Sequence, residues 1–191
     1  MNEGRIIRNS REPLWDRRMA VHEAGHAIAA WLNGANDVEI VLADEFGVAK
    51  GANGNIAEGC RAACFHSVVH GQDEILIRLI ILFAGVMAEH IYTGESADEL
   101  LKKTGKGDYS DIREYLDKYR LSGATEDERI AMYGRAHTIS LALIKRYWWE
   151  VIALAKMTEH SDYLSPASIR MLFCMFPSMS RGFNILKELE A

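Results

Sequence analysis

The chain has 191 residues, 49% of them apolar and 26% charged, which suits one domain with a hydrophobic core. Its net charge of −5 and the lack of a large Lys/Arg cluster exclude nucleic acid as the main partner. Three cysteines (Cys60, Cys64 and Cys174) and an N-terminus without an apolar signal region point to a reducing cytoplasm. The longest uninterrupted apolar run, Leu79 to Ala88, is too short to span a membrane.

In chain order, residues 1–13 are polar, end at Pro13 and read as a flexible arm; the remainder, 14–191, reads as one domain. The stretch from about Trp15 to Asn33 is predicted as a helix. Ala20, Ala24, Ala27, Ile28 and Trp31 form its apolar stripe, and Asn33-Gly34 stops it. Inside it lies His22-Glu23-Ala24-Gly25-His26, an H-E-x-x-H motif. Histidines four apart lie about 40° apart around a helix and one turn apart along it, so both imidazoles can reach one ion. Two neutral nitrogen ligands suit zinc, which in catalytic sites takes three protein ligands and leaves a position for water. Glu23, next to the first histidine, is placed to act as general base on that water. Gly25 costs about 1 kcal/mol relative to Ala in a helix interior, which points to a close approach at the motif's centre.

Asp37 to Leu42 is β-branched and reads as a strand, with a hairpin partner around Gly47-Val48-Ala49 and then a loop. Cys60, Cys64, His66 and His70 have the composition of a metal site. On a single helix, however, the histidines point about 240° away from Cys60, so ordinary packing is the better reading. Gln72 to Tyr92 is a long apolar helix stopped by Thr93-Gly94. Ser96 to Lys106 reads as a loop, and Asp108 to Tyr119 as a third helix. Thr125 to His160 is helical throughout, too long for one globular helix, and a break is expected near Lys145 to Trp148. Ser165-Pro166 opens a short helix with Ser as N-cap and Pro at the first helical position. The tail from Pro177 reads as a final amphipathic helix. The fold class expected is mainly α, with a small β-hairpin or short sheet.

A third zinc ligand is needed, and the candidates are His66, His70, Glu89, His90, Asp108, Asp111, His137 and His160. Spacing alone does not choose among them. Four segments bear on the choice: Met19 to Ala27 around the motif, Leu82 to Gly94, Gly107-Asp108-Tyr109-Ser110-Asp111-Ile112, and Asp162 to Ile169. In order and spacing they resemble the zinc peptidase domain of the FtsH family, the membrane-anchored AAA proteases. His90 stands where that family has a second Glu. The resemblance implies zinc held by His22, His26 and Asp111, with Glu23 as base and Glu89 holding a ligand histidine from behind. Asp108 is the nearest rival to Asp111, and is read as the helix N-cap.

The resemblance also implies a zinc metalloendopeptidase acting on unfolded polypeptide, with substrate extended along the Val38–Leu42 strand. The sequence contains no G-x-x-x-x-G-K-[ST] nucleotide loop. A separate AAA ATPase ring or a homo-oligomer is therefore the partner expected if substrates must be unfolded. Two rival readings are a zinc peptidase dedicated to one regulatory protein, and a non-catalytic adaptor that keeps the fold.

Overall fold

The computed structural model describes residues 16–67, 73–159 and 161–179. The expected N-terminal arm, most of the expected C-terminal helix, His70 and His160 lie outside these residues.

The motif helix is α1, Arg17–Leu32. The Asp16 side chain caps its start by accepting from the Arg18 N–H at 3.0 Å. Asn33 ends it, and Gly34 turns away with φ of 90°. From Ala20 to Ala30 every residue of α1 is buried, so this is a central helix rather than a surface one. Its main neighbour is α2, Glu74–Thr93, an apolar helix closed by Gly94 in the left-handed conformation. The two pack at close range where Gly25 meets α2. A Cβ on Gly25 would lie 2.5 Å from the Ala84 carbonyl oxygen and 2.8 Å from the Ala88 Cβ. The close approach expected at Gly25 is thus the backbone of α2. By length and composition α2 could cross a membrane, but 61% of its apolar stretch is buried inside the protein.

Between these helices lie four short strands: β1 Glu39–Leu42, β2 Val48–Lys50, β3 Ile56–Glu58 and β4 Ala62–Phe65. β1 pairs antiparallel with β4, in register Ile40 to Cys64, and on its other side with β5, Tyr163–Leu164. The order β4-β1-β5 makes β1 the central strand, which corrects the expectation that substrate lies along Val38–Leu42: both edges of β1 are already hydrogen-bonded. β2 forms where its sequence predicts, but its partner is β3 rather than β1. β4 also replaces any helix through Cys60 and Cys64. Buried Glu39 ties the hairpin to the sheet by accepting from the Ala52 N–H and the Tyr163 hydroxyl, each at 3.0 Å.

After α2 come α3 Ala97–Lys102, α4 Lys106–Leu121, α5 Glu126–Arg146, α6 Trp148–Thr158 and α7 Pro166–Cys174. Ser96 to Lys106 is therefore not all loop. Six of its residues form α3, an acidic first turn with Leu100 and Leu101 buried beneath it. The long helical stretch breaks at Tyr147, inside the expected window, and α5 starts with a capping box between Thr125 and Glu128. Ser165 caps α7, and Pro166 opens it. α5 packs on α2, where the Ser140 hydroxyl donates to the Ile80 carbonyl at 2.9 Å and Phe83 meets Tyr133 edge-on. The described residues are thus mainly helical, with two small antiparallel sheets.

Candidate metal centre

The centre lies where α1, α2 and the start of α4 meet. His22 and His26 project from one face of α1, and both are more than nine-tenths buried. Each ring is held from behind. His26 Nδ1 donates to the Ile81 carbonyl at 2.8 Å, and His22 Nδ1 faces the Glu89 carboxylate at 3.1 Å. Glu89 is itself almost wholly buried, accepts from the Thr104 hydroxyl at 2.8 Å and pairs with Arg18. With both Nδ1 atoms donating, both Nε2 atoms present lone pairs to the front. Those two atoms stand 3.0 Å apart. One oxygen of Asp108 lies 3.0 Å from His22 Nε2 and the other 3.3 Å from His26 Nε2.

Two lone pairs and a carboxylate converging in a buried space form a set of acceptors that calls for a cation. The floor of that space is Gly85 on α2. A Cβ there would collide with His26 Nε2 and would lie 2.8 Å from His22 Nε2. The missing side chain therefore leaves a cradle in front of both rings. Protons compete for the same lone pairs. Burial disfavours charge on both histidines, yet Asp108 and its neighbours outweigh burial and hold both above the usual histidine range. Burial likewise works against ionised Asp108, and the two imidazoles outweigh it, leaving its carboxyl well below the usual range. One ligand atom from each of His22, His26 and Asp108 lies within 4.8 Å of the others, so this donor set fits a zinc ion.

Asp111 is the expected ligand that the structure does not bring to the histidines. The reason lies in where α4 begins. Its N-cap is Gly105, not Asp108, and helix starts at Lys106. Asp108 is thus already inside the first turn, its carboxylate is not used as a cap, and it faces α1. Three residues on, about 300° around the helix, Asp111 is exposed at the cavity wall. Of the other candidates, His66 lines the cavity and bonds the Ser67 carbonyl at 3.0 Å. His90 bonds the Glu95 carbonyl, and His137 stands edge-on to Phe83.

Glu23 is buried beside the cluster and lines the same cavity. Burial pushes its carboxyl up, while His22 and His26 pull it back down. The facing wall is β4. Ala43 N–H bonds the Arg61 carbonyl at 2.9 Å, so by antiparallel alternation Ala63 and Phe65 bond to β1 while Ala62 and Cys64 point their backbone groups away from it. The Cys64 N–H favours ionised Glu23. Burial raises the Cys64 thiol well above the usual range, so it stays protonated. The roles of Gly85, Thr104 and Arg18 are missed in the sequence. A glycine inside a helix as apolar as α2 is the one local signal that marks Gly85.

The fold and this cluster define a helical domain carrying a His-His-Asp group that can hold a metal ion. Its sequence is similar to the ATP-dependent zinc metalloprotease FtsH 2 of Symbiobacterium thermophilum, 31% identical over 148 residues. That match covers 77% of this chain and 21% of the relative, so the chain spans about a fifth of the length of the curated relative it matches. No family model matches the chain.

Proposed function

We propose that residues 14–191 form a zinc-dependent metalloendopeptidase that hydrolyses peptide bonds in unfolded or flexible polypeptides. The observation that carries this reading is the convergence of His22 Nε2, His26 Nε2 and Asp108 over Gly85, with Glu23 beside them in one cavity. His22, His26 and Asp108 would hold the ion. A bound zinc supplies Lewis-acid polarisation of the scissile carbonyl and acidifies a water. Glu23 takes a proton from the attacking water and returns it to the leaving amine. Glu89 and the Ile81 carbonyl fix the tautomer and aim of the two histidines.

The substrate lies along the outer edge of β4, which pairs with no other strand among the described residues and where the main-chain groups of Ala62 and Cys64 face the cavity. Strand addition reads backbone rather than side chains, which suits flexible polypeptide. The relative's name states ATP dependence. A separate ATPase ring would extend the reaction to folded substrates, while flexible ones need none. Against a non-catalytic adaptor stands Glu23, a buried carboxylate that a scaffold has no use for.

The test compares wild type and Glu23→Gln on a permanently unfolded protein, with zinc content measured on both. Zinc bound by both and cleavage by the wild type alone is the expected result. Equal cleavage by the two proteins would remove Glu23 from the mechanism, and no cleavage by either would leave a metal-binding module.

A further inference from the structure

α2 carries one Lys or Arg, Arg78, between Ile77 and Leu79 in the apolar run from Ile75 to Ala88. A basic residue on a core helix normally runs its stem to the surface and leaves its charge in water. Arg78 does not. Its side chain is only 16% exposed, and its Nε is buried with no hydrogen-bond partner among the described residues. The ion pair it has there is with Glu74, at 4.0 Å, the outer limit of such a contact. A guanidinium offers five donors in a planar fork; here the Nε donor is buried unpaired, which is costly.

The group opens on the cavity that holds His22, Glu23, His26 and Asp108. On α2, Arg78 is one turn before Ile81, whose carbonyl holds His26, and Leu82; both line the same cavity. His66, just past the end of β4, is near enough to feel its charge, and Tyr115 on α4 lines the same cavity. His66 is pushed down chiefly by burial and further by the Arg78 charge, so it stays neutral and adds no competing anion or cation. Asp108 and Glu89, two of the carboxylates that line the cavity, are engaged elsewhere: Asp108 with the histidines, Glu89 with His22, Arg18 and Thr104; Glu23 and Asp111 line it as well.

Resting on the peptidase reading, we propose that Arg78 forms a carboxylate-recognising subsite of the cleft, so that the enzyme selects acidic positions in its polypeptide substrate. The planar fork matches a carboxylate by two parallel hydrogen bonds. Antiparallel addition to β4 carries side chains N-terminal to the scissile bond past His66 and Arg78, which makes the ligand a Glu or Asp side chain. Parallel addition would carry the substrate's C-terminal end there instead. Such a subsite turns a backbone-reading cleft into a selective one and favours a restricted set of substrates.

The test uses the full chain and end-blocked peptides that differ by Glu or Gln at successive positions around one cleavable bond. Matching peptides with a free or amidated C-terminus form the second arm. The expected result is a preference for Glu at one position of roughly ten- to a hundred-fold in kcat/KM, from a buried charge-assisted bond. In Arg78→Gln the ratio should collapse towards one, and in Arg78→Lys it should fall partway. A preference confined to the free C-terminus would move the same subsite to parallel addition. A ratio unchanged in Arg78→Gln would overturn the proposal.

Equilibrium binding of the same peptides to Glu23→Gln, with and without Arg78→Gln, separates the two readings. Discrimination in binding without cleavage by the wild type would sink the peptidase reading and leave the subsite standing. Cleavage without discrimination would sink the subsite alone.

Discussion

At the scale of single residues, the site turns on which carboxylate of α4 faces α1. Asp108 and Asp111 are both acidic and near the helix start, and only one is beside the histidines. The expected consequence is that Asp108→Asn weakens zinc binding by about ten-fold or more, because a charged ligand is lost, whereas Asp111→Asn leaves affinity near wild type. Competition against a chromophoric chelator measures both, and the reverse order would return the ligand role to Asp111. Gly85 makes a second prediction. Gly85→Ala gains helix propensity of about 1 kcal/mol but places a methyl group in front of both Nε2 atoms. Zinc should be lost while the helical circular dichroism stays. Wild-type affinity in this variant would show that the ion sits elsewhere.

Among the elements, the crossing of α1 and α2 sets how near the histidines come to α2. Gly25 permits it. Gly25→Ala again gains about 1 kcal/mol of propensity, but the added methyl meets the Ala84 carbonyl at 2.5 Å. Backbone cannot swing aside as a flexible side chain can, and overpacking of this kind costs about 1–3 kcal/mol. The variant should be net destabilised by about 1 kcal/mol in urea unfolding. Stability equal to or above wild type would mean that the helices slide apart freely. The break at Tyr147 is a second element-level device. It separates α5, which packs on α2, from α6, which packs on α1, so one helical stretch of sequence covers both helices of the central pair.

For the whole molecule, the proposed ligands come from α1 and α4, which are far apart in sequence and meet only in the folded chain. Zinc should therefore bind the native state and barely the unfolded one. At free zinc about 100-fold above Kd, this linkage adds about 2.7 kcal/mol. For a chain of this size that raises the thermal midpoint by roughly 5–10 °C. A chelator should reverse the rise, and Asp108→Asn should shrink it. A midpoint indifferent to zinc and chelator would contradict a site assembled by the fold. Among the described residues the three cysteines are free, so reductant should leave the same midpoint unmoved.

What the sequence determined by itself was local. A helical repeat sets His22 and His26 on one face whatever surrounds them, and Ser165-Pro166 or Thr125 with Glu128 cap their helices through neighbours a few residues away. The burial of α2 and the break near Tyr147 also follow from short-range pattern. The third carboxylate did not, because its aim depends on whether α4 begins at Lys106 or at Asp108, a shift of a fraction of a turn that reverses which side chain faces inward. The strands β1 and β2 were legible, but their pairing was equally out of reach. β1 is central because β4 and β5 arrive from distant parts of the chain, and β-pairing is a contact between segments with no trace in either alone. The same holds for Gly85 and Arg78, whose meaning comes from what stands opposite them: two imidazoles in one case and an open cavity in the other. Spacing along one helix was legible because its geometry repeats every few residues; the meeting of three helices and a strand edge was decided only by tertiary packing.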